Sequence, residues 1–235
     1  MPDTGSNHPS PEEIGSELQR IQAAVEGGAT DLSGLGFWRV VRVLKTNPQL
    51  ADRFAGTVGR IDAVAFEQRV RPRFPVWFGN AVLGAGVALG DALLGWAVAC
   101  DEPIQAAIGL IAGAGVLSVS AHDLGHWVAG RAAGIRFRSY FLDGPFRIQP
   151  GLKTEYGSYL RASARGRARM HAAGALASKM APFVALAVWP ATDAPGWAAL
   201  VVLGMGVLQI ITDVLWSMKK SDWKKYSRER RFARA

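Results

Sequence analysis

Four apolar runs constrain this chain more than any other feature: Val76–Cys100, Pro103–Gly130, about Met170 to Trp189, and Trp197–Ser217. A run of about 20 such residues is what a helix needs to cross a ~30 Å hydrocarbon core. Lys and Arg avoid them. Of the 27 such residues, 25 fall in 36–74, 131–169 and 218–235, and the segments Pro75–Gly130 and Met170–Met218 contain only Lys179. The connections after the first and third spans carry no Lys or Arg, which places them outside and both termini in the cytoplasm, as in a cell-membrane protein. A net charge of +8 would also suit a nucleic-acid binder, but basic blocks alternating with apolar runs make the bilayer the expected partner and nucleic acid none.

The expected fold class is an all-α polytopic membrane protein with about four transmembrane helices. A short β-hairpin lies between the second and third, and soluble or interfacial helices precede the first. Residues 1–9 read as a disordered tail. Region 10–74 is helical: Ser10, Pro11 and Glu13 make a capping box, and Ile14, Leu18, Ile21 and Val25 form one stripe before Gly27-Gly28. Phe37–Thr46 puts Val40, Val41 and Leu44 opposite Arg39, Arg42 and Lys45, which fits a basic helix on a membrane surface or part of a small soluble cap. After Asn47-Pro48 another helix aligns Leu50, Phe54, Val58 and Ile61. Alternation at Ile135–Arg138 and Phe146–Gln149 around Asp143-Gly144-Pro145 predicts the hairpin. Residues 75–218 are the membrane core and 219–235 a basic cytoplasmic tail. No cleavable signal peptide is expected, and the single cysteine, Cys100, excludes an intrachain disulfide and a cysteine-based zinc site.

The chemistry concentrates in Ser120-Ala121-His122-Asp123-Leu124-Gly125-His126-Trp127, inside the second run. Histidines at i and i+4 share a helix face, so both imidazoles can reach one ion. Asp123 beside them is a carboxylate able to take a proton from an activated water. Ionisable groups inside a span are costly and usually functional.

A catalytic zinc takes three protein ligands and leaves a position open. The remaining candidates are Asp91, Asp143 and Asp213. Counting back from Arg131 at 1.5 Å per residue puts His126 about 7–8 Å deep and His122 about 13–14 Å. Counting from Lys219 puts Asp213 about 9 Å deep, in the same layer. Asp91 lies about 27 Å above Arg73, and Asp143 sits where an Asp-Gly turn is expected for backbone reasons. Lys179, about 15 Å deep, either faces the metal cavity and pairs with a ligand carboxylate or snorkels to phosphates.

His122-x-x-x-His126, the following Gly134-Ile135, the hairpin ending in Gly144-Pro145 and the distant Asp213 resemble the site-2 protease family over about residues 76–217. Those proteins are intramembrane zinc metalloproteases that hydrolyse peptide bonds in or near transmembrane segments of membrane-protein substrates. The resemblance implies Zn2+ held by His122, His126 and Asp213, with Asp123 in place of the usual catalytic Glu. Gly174-Ala175-Leu176-Ala177-Ser178 stands where the family has Gly-Pro-x-x-Asn, and Thr212-Asp213-Val214 where it has Leu-Asp-Gly. Ser178 and Lys179 are then the substrate or oxyanion candidates, and Gln209 a hydrogen-bond donor to the ligand carboxylate. The same residues also fit a non-catalytic, metal-binding pseudoprotease that holds membrane clients.

Overall fold

The computed structural model describes residues 9–143, 149–215 and 221–233. The expected tail, apart from Pro9, and the Gly144-Pro145 turn lie outside them. Helices α1 (Pro11–Glu26), α2 (Phe37–Thr46) and α3 (Pro48–Arg69) come first. The capping box forms: Glu13 N–H donates to Ser10 Oγ at 3.2 Å, and Ser10 N–H to the Glu13 carboxylate at 2.7 Å. Such a cap contributes about 0.5–2 kcal/mol. The stripes of the three helices meet in one cluster: Leu18 and Ile21 of α1, Phe37 and Leu44 of α2, Val58 and Ile61 of α3. The apolar face of α2 is consumed inside this cluster while Arg39 and Arg42 stay exposed. Helices this short are marginal alone, and burying one another's stripes stabilises all three.

Among the described residues, four helices are long and apolar enough to cross a membrane: α4 (Val76–Ala99), α5 (Pro103–Ala132), α7 (Ala164–Val188) and α8 (Gly196–Leu215), the spanning stretch of the last ending at Asp213. Small residues let them approach closely. An added Cβ at Gly90 of α4 would lie 2.6 Å from Leu117 of α5, and one at Gly125 of α5 only 2.8 Å from the Ala173 carbonyl oxygen of α7. Helix α7 starts earlier than the apolar pattern suggests, because the Ser163 hydroxyl caps it by accepting from Gly166 N–H at 3.1 Å.

Between α5 and α7 the hairpin forms as β2 (Phe137–Asp143) and β3 (Gln149–Thr154), followed by α6 (Tyr156–Arg161). Gly134, at φ +78°, ends α5 in the left-handed conformation that turns the chain into β2. A third strand, β1 (Arg73–Phe74), adds to β2, so the antiparallel order is β1-β2-β3 and β3 is an edge. Tyr140 of β2 packs where Gly79 of α4 leaves room, and its hydroxyl donates to Asn80 Oδ1 at 2.8 Å. These contacts hold the sheet against α4.

The C-terminal basic segment contains a docked helix, α9 (Asp222–Phe232), lying against α7. Its Glu229 is fully buried, 2.5 Å from Lys45 of α2 and 2.6 Å from Arg167 of α7. Burial pulls the Lys45 amine down to about 8 against the pull of Glu229. Burial raises the Glu229 carboxyl, but Lys45 and Arg167 outweigh it and hold it below the usual range. The triad joins the N-terminal helices, the third span and the C-terminal helix at one point.

Candidate metal centre

His122 and His126 sit one turn apart on α5, ring centroids 4.8 Å from each other, and both face α7. The ring of His126 fits because residue 174 is glycine: an added Cβ there would collide with the imidazole. His126 Nδ1 donates to the Met170 carbonyl oxygen at 2.7 Å. The Ser178 hydroxyl lies 3.3 and 3.2 Å from the Gly174 and Ala175 carbonyl oxygens, so it spends its hydrogen there and accepts from His122 Nδ1 at 3.2 Å. Both rings are thereby oriented by their Nδ1 atoms and turn Nε2 toward Asp222, the arrangement that prepares histidines as metal ligands.

Both Nε2 atoms point at one oxygen. Asp222, the first residue of α9, brings its Oδ2 within 3.3 Å of His122 Nε2 and 3.1 Å of His126 Nε2. If the rings are neutral with Nδ1 protonated, each Nε2 offers a lone pair to a carboxylate, an arrangement that repels unless a cation, proton or metal, stands between. The other Asp222 oxygen accepts from Lys225 Nζ at 2.9 Å and lies 3.6 Å from Nδ1 of His171 on α7. The Tyr159 hydroxyl of α6 hydrogen-bonds His171 Nε2 at 3.0 Å. Burial raises the Asp222 carboxyl, but the surrounding histidines outweigh it and hold it far below the usual carboxylate range.

Asp123 is buried between these groups, and its Oδ2 has no hydrogen-bond partner among the described residues. The ligand atoms of His122, Asp123 and His126 lie within 4.8 Å of one another, a group that could hold a metal ion. A buried carboxylate oxygen without a donor is expensive unless a cation compensates it, so the donor set fits a metal.

Other expected site residues stand elsewhere. Asp213, expected from its depth to be the third ligand, pairs with Lys179 Nζ at 2.5 Å; like Asp222, it is not one of the three residues of the metal-capable group, His122, Asp123 and His126. One of the two readings of Lys179 had it pair with a ligand carboxylate, and Asp213 is the carboxylate it meets. Gln209 donates to Ser118 Oγ at 3.4 Å, not to Asp213. Ser178 orients His122, so its hydroxyl is already engaged. The backbone of Asp143 ends β2, where it pairs with Gln149, and Asp91 is exposed on α4. The sequence reading missed Asp222 and His171. The signal for Asp222 was Ser221-Asp222 as a helix start in the basic tail; for His171 it was a third histidine beside the third span.

The fold and the site together define a helical membrane protein with four candidate spans and a His-Asp-His group able to hold a metal ion. Compared with family models, curated proteins and solved structures, the chain finds no match.

Proposed function

We propose that this chain is an intramembrane zinc metalloprotease of the site-2 protease type, acting on transmembrane segments of membrane-protein substrates. The observation that carries the proposal is the convergence of His122 Nε2 and His126 Nε2 on one Asp222 oxygen, at 3.3 and 3.1 Å, beside Asp123, whose Oδ2 has no hydrogen-bond partner among the described residues. His122, His126 and Asp222 would hold the ion. When bound, zinc supplies a Lewis acid and brings the pKa of water toward ~7. Asp123 accepts a proton from the attacking water as its oxygen bonds to the scissile carbonyl carbon. Asp123 then returns that proton to the amine nitrogen as the C–N bond breaks. Met170 O and Ser178 Oγ keep the two imidazoles aimed. Edge strand β3 supports substrate binding by strand addition, because an unwound segment can pair its backbone there without a particular sequence.

The test compares purified parent with Asp123→Asn in zinc content and in cleavage of a transmembrane peptide. The variant is expected to keep zinc while hydrolysis falls by the ~10²–10⁴ typical of a lost general base. Asp123→Glu, which restores the longer acid, should remain active. Absence of zinc from the parent overturns the metal centre. Zinc without cleavage in any form overturns the enzyme and leaves the client-holding pseudoprotease.

A further inference from the structure

Asp91 is a carboxylate within the apolar helix α4, nearer its outer end. It lies eight residues before the Ala99 end of α4, about 12 Å at 1.5 Å per residue. It is exposed, so in a bilayer it faces lipid, and among the described residues it has no hydrogen bond or ion pair. Ionisable residues inside spans normally face the bundle interior or pair with an opposite charge. The other intramembrane carboxylates here do so: Asp213 has Lys179, and Asp123 lies with the two histidines. Asp91 does neither. Lys179, the one cation in the interior of the apolar runs, is already engaged.

The surface around Asp91 is shaped for a helix. Gly84, Ala88 and Gly95 share its flank of α4, within about 60° of arc. All three are exposed, and an added Cβ at Gly84 or Gly95 would meet nothing within 4 Å. The adjoining face, about 60–100° round the helix from Asp91, packs on α5 through Gly90 and Leu94. Small residues on either side of a polar one allow a second helix to approach closely enough for a direct contact. A second copy of this chain is a poor occupant, since a symmetric pairing of these faces would set one Asp91 against another.

We infer that the Asp91 face of α4 docks a transmembrane helix of another protein, one carrying a single Lys or Arg at the depth of Asp91. The contact is an ion pair formed in lipid, where the carboxylate gains the partner it lacks. This docking does not depend on the metal centre or on proteolysis.

The test uses the full chain with Cys100→Ser and Gly95→Cys, reconstituted in phosphatidylcholine vesicles with a synthetic Leu/Ala span. The peptide carries one Lys level with Asp91 and a cysteine one turn away, and disulfide yield is the readout. The Lys peptide is expected to cross-link about tenfold more than its Leu counterpart or a peptide with Lys two turns displaced. Adding Asp91→Asn should remove the difference. Asp91→Lys should reverse it, selecting a peptide with Asp, a gain that a misfolded variant could not show. Equal yields for Lys and Leu peptides, or an unchanged preference in Asp91→Asn, overturns the inference. A predominant Gly95→Cys homodimer that the Lys peptide does not displace also overturns it, by making a second copy the occupant.

Discussion

Asp222 and His126 stand 3.1 Å apart across 96 residues of sequence, one at the start of the C-terminal helix and the other inside the second span. The contact makes α9 part of the centre, and it decides which carboxylate accompanies the histidines.

Asp222→Asn and Asp213→Asn therefore separate two assignments. Asp222→Asn should weaken zinc binding by at least the ~10–100-fold lost with supporting partners of metal ligands. Asp213→Asn should bind zinc like the parent, because its carboxylate is committed to Lys179. Competition with a fluorescent chelator measures both. The opposite ranking would return the third position to Asp213.

Gly174→Ala tests the close approach of α5 and α7. The new methyl would occupy the place of the His126 ring, so the imidazole must leave its Met170 contact. Zinc affinity is expected to fall by about tenfold or more while helix content by circular dichroism holds. An unchanged affinity would mean that the two helices can separate without cost to the site.

Glu229→Gln leaves Lys45 and Arg167 buried without their anion. Removing one partner of a buried ion pair typically costs about 3–5 kcal/mol, so a clear fall in Tm is expected. The pH dependence follows from the sign of the shift. The folded Glu229 carboxyl lies below its ordinary value of 4.5, so its contribution is complete above about pH 4.5 and is lost as pH falls through the folded value. Between pH 6 and 3.5 the parent should lose more thermal stability than Glu229→Gln. Parallel curves would show that the triad does not stabilise the fold.

The orientation is tested by cysteines at Glu102 and Asp193 with Cys100 replaced. Both connections lack Lys and Arg, so both should react with an impermeant thiol reagent added outside intact cells. Labelling only after lysis would invert the topology.

Much of the fold was legible because it depends on local pattern. Apolar length marked the four spans, the capping box placed the start of α1, and the i, i+4 spacing put His122 and His126 on one face. Alternation found the hairpin but not β1, since a two-residue strand has too little pattern to read.

The sequence by itself determined axial position: a rise of 1.5 Å per residue sets the depth of every side chain once the span ends are known. Depth put the histidines and Asp213 in one layer, but each helix can still turn about its axis, and counting residues does not say which neighbour a side chain meets. Tertiary packing decided that. It gave Asp213 to Lys179, turned Gln209 toward Ser118, and folded α9 back so that Asp222 reaches the imidazoles. That return is anchored by Glu229 between Lys45 and Arg167, three residues far apart in sequence whose charges meet only once the N-terminal helices, the third span and the C-terminal helix have packed.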